Sequence, residues 1–367
     1  MTDAKTGGPI AASGSDESVA RSGGAGHARA GAMMSQAVVA SREDIGLRPV
    51  PRPPAPGRGE ALVRSVLVGI CGSDVHAAAG HHPFIDLPYL PGHEVVGVIE
   101  EVGPGTDGLT PGDRVVLEPN LHCGHCPQCR DGRYNICREL AVFGCQTPGA
   151  MADAFVVRAD RLHHVPDEMT DTTAALIEPL ATPMHAVRRA EVRPGAKVVV
   201  LGAGPIGLLV LVAARAAGAE RVVVTDLLPG KLRRAAALGA DETLATDDPR
   251  LAELGGSADV VFDCVAREST MAQAVELVDK GGTVVVVGVP AGPVAIPLHL
   301  VQDREITVIG SLMYVREDFA AAIDLLRSGA VAADDLVTAV FPLDEVARAF
   351  AAAADPHHVK VLVSVTT

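Results

Sequence analysis

The chain has 367 residues, which at roughly 150 per domain leaves room for two separate cores. Apolar residues make up 48% and charged residues 21%, so a disulfide-stapled miniature fold, a fibrous repeat and global disorder are excluded. Lys plus Arg number 31 against 45 Asp plus Glu, a formal net charge of -14; a chain this acidic repels phosphate backbones and anionic membrane surfaces, so neither is expected as a partner.

Residues 1–32 are rich in Gly, Ala and Ser without an apolar core of signal-peptide length, and read as a disordered tail, with Met33 and Met34 as alternative functional starts. From Gln36 to about Val157, short β-rich runs (61–68, 94–102, 114–117 and 151–157) are separated by Pro/Gly turns, the pattern of an all-β module. From Lys197 the rhythm changes to strand, helix, strand. Strands are expected over 197–201, 221–225, 260–263, 283–287 and 307–309, and helices over 205–217 and 231–238. Val-rich strands alternating with helices predict a parallel sheet covered on both faces. A helix over 318–327 and a strand over 359–365 fall outside that unit and are expected to return to the first module. The expected fold class is α/β: a tail (1–32), a β-rich domain (33–182, completed by 314–367) and a doubly wound dinucleotide-binding domain (183–313).

Directly after the strand at 197–201 stands Gly202-Ala-Gly204-Pro205-Ile206-Gly207, opening a helix. Gly202 permits the tight turn, Gly204 lets backbone approach a pyrophosphate, Gly207 lets helix and strand pack closely, and the helix N-terminus offers unpaired N–H groups to the anion. Nineteen residues past Gly207, Asp226 ends the next strand, where a carboxylate accepts hydrogen bonds from ribose hydroxyls and repels a 2'-phosphate. NAD is therefore expected over NADP, although Lys231, Arg233 and Arg234 lie close in sequence and partly offset that charge. Lys231, Gly288 and Val289 are counted with the cofactor-binding residues.

Seven cysteines are present, an odd number, with four of them in fifteen positions: Cys123, Cys126, Cys129 and Cys137. This is metal-site spacing in a reducing compartment, and a cytoplasmic protein is expected. Four thiolates complete a tetrahedral shell and leave no open position, which makes this a structural zinc clip; an iron-sulfur cluster is the lesser alternative. A more dispersed set comprises Cys71, Ser73 and His76 in Gly69-Ile-Cys71-Gly-Ser73-Asp74-Val-His76, then His93-Glu94, then Glu178. Alone, each is unremarkable. Together, Cys, His and two carboxylates supply three or four zinc ligands with one position left for water or an alcohol oxygen.

In this order and spacing these motifs resemble the zinc-containing medium-chain dehydrogenase/reductase family, in the branch of sorbitol, butanediol and threonine dehydrogenases, over essentially everything from Met34 to Val365. The resemblance implies a GroES-like catalytic domain and a Rossmann domain with the active site in the cleft between them. It implies two zinc ions per chain, Cys71 and His93 as catalytic zinc ligands, and Glu94 and Glu178 as the two carboxylates that ligate the metal or reach it through water. Ser73 and His76 match the family's proton relay, and a homo-oligomer, commonly a tetramer, is implied. Ala77 and Ala78 stand where sorbitol dehydrogenases carry bulky aromatics, which suggests a differently shaped pocket, and Met313 where they carry an arginine that holds sugar hydroxyls; the run from Tyr314 to Phe319 looks more like the butanediol-type enzymes, whose substrates carry fewer hydroxyls. The expected reaction is NAD-dependent oxidation of a secondary alcohol or vicinal diol to a ketone. The alternatives are an L-threonine 3-dehydrogenase, a polyol dehydrogenase, or a protein that binds NAD and zinc without turnover. Cys145 and Cys264 are expected to be buried small side chains.

Overall fold

Strand pairing separates the chain where its rhythm changes. The computed structural model describes residues 33–365; the expected tail, 1–32, lies outside them. β1 (Met33–Val39) and β2 (Ile45–Pro51) form an antiparallel hairpin that the sequence reading did not anticipate. β3 (Glu60–Ile70) runs into α1 (Gly72–Ala78), followed by β4 (Glu94–Val102) and β5 (Arg114–Leu117). The four-cysteine lobe lies between β6 (Asn120–Leu121) and β7 (Ala141–Val142), which pair at its base, and carries α2 (Pro127–Arg130) and a 3-10 turn at Tyr134–Ile136. Next come β8 (Ala154–Arg158), β9 (Leu162–His164), α3 (Asp171–Ala174) and α4 (Ile177–Arg189). The second half contains β10 (Lys197–Leu201), α5 (Pro205–Ala216), β11 (Arg221–Asp226), α6 (Pro229–Ala237), β12 (Glu242–Ala245), α7 (Arg250–Glu253), β13 (Ala258–Asp263), α8 (Glu268–Leu277), β14 (Val278–Val286), α9 (Leu298–Asp303) and β15 (Thr307–Gly310). The chain closes with α10 (Arg316–Arg327), α11 (Ala333–Leu336), β16 (Val337–Pro342), α12 (Val346–Ala354) and β17 (Lys360–Ser364).

β10 to β15 form one parallel six-stranded sheet in the order β12-β11-β10-β13-β14-β15. Its central strands are uninterrupted Val-rich runs because both faces are covered. The chain winds outward from β10 to β12 and then returns to β13 on the other side. The carboxyl ends of β10 and β13 therefore flank the switch point at which such sheets bind ligands. The other sheet has seven strands in the order β16-β17-β3-β4-β5-β9, with β8 also on β3, so the C-terminal strands do rejoin the N-terminal module. α4 connects the two halves, packing against α5 and α10. It is one continuous helix across the expected boundary at 182/183.

Candidate active site

The end of β3 and the start of β4 bring three metal-binding groups together. Cys71 follows β3, His93 precedes β4, and Glu94 is the first residue of β4. The strands are antiparallel with Gly69 opposite Glu94, and the donor atoms of Cys71, His93 and Glu94 all lie within 4.8 Å of one another. Glycine is required at position 69, since a Cβ there would stand 1.9 Å from Glu94 Oε2. Thiolate, imidazole and carboxylate in that span fit zinc with one position left open.

Glu178 enters from the first turn of α4. It is buried, its Oε1 accepts a hydrogen bond from the Tyr314 hydroxyl, and it stands outside the three-donor cluster. Burial first, and then the charge of Glu94, push its carboxyl up from 4.5 to about 7. A carboxyl raised on folding favours the folded state only while it holds its proton. Protein stripped of metal is therefore expected to lose stability as pH rises from about 4.5 through 7, and Glu178→Gln to flatten that slope in urea midpoints. An equal slope in both proteins would remove Glu178 as its source.

Sequence reasoning missed two supports. Lys360, from β17, donates to both Glu94 oxygens at 2.6 and 2.7 Å and to the Ile70 carbonyl at 3.3 Å, and is itself buried. Burial opposes its charge most strongly, but the charge and hydrogen bonds of Glu94, together with Cys71 and Glu178, outweigh that cost and raise its pKa. The available signal was a single ammonium inside the apolar run from Val359 to Val365. Asp74 is fully buried: Oδ2 accepts from the Cys71 N–H at 2.9 Å, and Oδ1 accepts from the Tyr89 hydroxyl at 3.0 Å and lies 3.9 Å from His93 Nδ1. Its signal was an acid in the first turn of the helix that Cys71 opens.

Ser73 is half-buried and His76 exposed on α1; among the described residues no side-chain hydrogen bond joins them. Ala77 and Ala78 are buried in the apolar core of the seven-stranded sheet. Cys145 and Cys264 are half-buried and pack against hydrophobic cores, as small side chains do, and Cys145 Sγ also lies 3.9 Å from His93 Nδ1, beside the donor cluster.

In the lobe, Sγ separations are 3.4 Å (Cys126–Cys129), 3.5 Å (Cys123–Cys137), 3.9 Å (Cys126–Cys137) and 4.0 Å (Cys123–Cys129). Tetrahedral zinc with Zn–S bonds of roughly 2.3 Å needs sulfurs roughly 3.8 Å apart, and a disulfide roughly 2.05 Å. The four thiols fit the metal.

At the switch point, Gly202 has φ +95°, and a Cβ on Gly207 would stand 1.8 Å from the Gly202 carbonyl oxygen. Gly204 has open space beside it and precedes Pro205 and Ile206 at the start of α5. Asp226 ends β11 with Oδ2 accepting from the Ala203 N–H (2.8 Å) and Oδ1 from the Leu228 N–H (2.9 Å). Lys231, Arg233 and Arg234 line a groove of about 600 Å³ at the start of α6. Gly288 and Val289 line a second cavity, of about 670 Å³, together with Asn135 and Leu312.

A glycine turn at the switch point of a parallel sheet, joined to a β-rich module with an open thiolate, imidazole and carboxylate set, defines a zinc-dependent oxidoreductase acting on alcohols. Residues 57–167 match the alcohol dehydrogenase GroES-like domain and residues 205–328 the zinc-binding dehydrogenase family. The chain is 37% identical over 306 residues to L-idonate 5-dehydrogenase of Vitis vinifera, covering 80% of this chain and 83% of that protein. It is also 37% identical over 301 residues to sorbitol dehydrogenase of Arabidopsis thaliana, covering 78% and 82%. The solved structure of 2R,3R-butanediol dehydrogenase from Bacillus subtilis superposes with a TM-score of 0.83 at 31% identity, covering 91% of this chain and all of that one. The chain belongs to the zinc-containing medium-chain dehydrogenase family, in its sorbitol dehydrogenase-like branch. Among the described residues no helix is long and apolar enough to cross a membrane.

Proposed function

We propose that this chain transfers a hydride between a secondary alcohol or vicinal diol, of the butanediol or polyol kind, and NAD, giving a ketone, with the reverse reaction equally available. The observation that carries this reading is the Cys71, His93 and Glu94 cluster, with Glu178 near enough for the charge of Glu94 to act on it. When bound, zinc supplies Lewis acidity at the substrate oxygen and the dinucleotide supplies a two-electron acceptor. Cys71, His93 and Glu94 hold the metal, with Glu178 as the further carboxylate, and Cys123, Cys126, Cys129 and Cys137 hold a second, structural ion. Asp74 and Lys360 fix the orientation of the ligands, as outer partners do in such sites. Ser73 and His76 carry the proton outward from the substrate oxygen, and Gly202, Gly204 and Gly207 with Asp226 seat the dinucleotide.

Met313 in place of an arginine favours a substrate with few hydroxyls, and the likeness to the butanediol enzyme agrees. The likeness to the idonate and sorbitol enzymes supports a polyol as the second reading, and an L-threonine-type substrate is the third. The test is NADH formation from 2,3-butanediol, sorbitol, xylitol, L-threonine and simple secondary alcohols, with and without chelator, beside metal analysis of the purified chain. Chelator-sensitive turnover with two zinc ions per chain is expected; activity indifferent to chelator would overturn the reading. A homo-oligomer in the cytoplasm is part of the proposal, and light scattering measures its order.

Asp226→Ala is expected to lower kcat/KM with NAD at least tenfold while NADP loses less, because the 2'-phosphate is no longer repelled. Two backbone N–H groups lose their acceptor as well, at a stability cost of about 1–3 kcal/mol. An unchanged NAD to NADP ratio would remove Asp226 from cofactor choice.

A further inference from the structure

We infer that the four-cysteine lobe positions the active-site tyrosine, through Asn135 and Asn120. Asn135 lies in the 3-10 turn between Cys129 and Cys137, is buried, and donates from Nδ2 to the Leu312 carbonyl at 2.8 Å. The same nitrogen lies 3.2 Å from His185 Nε2, and His185 Nδ1 lies 2.8 Å from Asp318 Oδ2, so the amide is held from behind. Asn120, fully buried in β6, donates to the Tyr314 carbonyl at 2.8 Å. The two asparagines thus grip the carbonyls on either side of Met313, whose φ of +48° puts a residue with a side chain in the left-handed region. A strained residue of this kind persists only where its surroundings over-determine it. The product of the grip is the Tyr314 hydroxyl on Glu178 Oε1.

Without the grip, residue 313 relaxes, the tyrosine ring shifts, and Glu178 loses its donor. Asn135 stands outside the Cys71, His93 and Glu94 cluster and acts on Glu178 as a positioning residue, through Tyr314. The inference rests on the dehydrogenase reading for its kinetic test, whereas its spectral test does not need turnover.

The experiment compares wild type, Asn135→Asp, Tyr314→Phe and the double variant. Asn135→Asp keeps the shape but has no N–H to donate. It is expected to lower kcat on the best substrate roughly tenfold to a hundredfold, and add less than about twofold to the loss in Tyr314→Phe, since coupled residues are not additive. The chain has three Tyr and no Trp, so the near-ultraviolet difference between proteins with and without Tyr314 isolates its band. That band is expected to move to shorter wavelength in the Asn135→Asp background as the hydrogen bond to carboxylate is lost. Equal fold-losses in both backgrounds, or an unmoved band, would overturn the inference. A wild type that turns over nothing would overturn the functional reading instead, with the band still deciding this one. Should Asn135→Asp fail to fold, Asn120→Ser releases the Tyr314 carbonyl and reads the same band.

Discussion

Lys360→Met is expected to destabilise the folded chain by about 3–5 kcal/mol, the cost of leaving one buried charge without its partner. Glu94 is buried, and both of its carboxylate oxygens accept from the Lys360 ammonium. Methionine fills similar volume, so the loss reads the charge rather than a cavity. Removing both charges together, as Lys360→Met with Glu94→Gln, is expected to recover most of the stability, because two uncharged side chains of this shape need no ion partner. Urea unfolding of the three proteins makes the comparison. A single variant within about 0.5 kcal/mol of wild type would show that the pair does not act as a buried unit. The catalytic consequence follows from the same contact: the Lys360 ammonium donates both to Glu94 and to the Ile70 carbonyl, one residue before Cys71, so losing it releases two ligands from their common frame.

Cys71→Ser is expected to lower kcat/KM by about a thousandfold or more while leaving dinucleotide binding within about twofold. A serine hydroxyl does not offer the thiolate that zinc prefers, and only His93 and Glu94 then remain of the compact set. The dinucleotide surface is built on a different sheet, from Gly202 to Asp226, and has no reason to change. Metal analysis should find one zinc fewer per chain, the ion held by Cys123, Cys126, Cys129 and Cys137 being retained. Full turnover, or an unchanged metal content, would refute the assignment of Cys71.

The glycine turn and the four-cysteine lobe were legible in sequence because each is local: its geometry is set by residues within fifteen positions. Val-rich strands announced the parallel sheet for a similar reason, since burial on both faces leaves an uninterrupted apolar run. The hairpin of β1 and β2 was not legible, as its second strand, Ile45-Gly-Leu-Arg-Pro-Val-Pro51, carries two prolines and an exposed middle.

By itself the sequence determined the two-module architecture and the residue types able to hold zinc and a dinucleotide, because these depend on periodicity and short-range spacing, and its motifs carried the resemblance to the family. Tertiary structure alone decided which groups meet. Lys360 reaches Glu94 across 266 positions, Tyr314 reaches Glu178 across 136, and Asn135 reaches Leu312 across 177. Contacts at such separations arise from strand order and helix packing, and a single side chain in a sequence carries no record of the partner that the fold will place beside it.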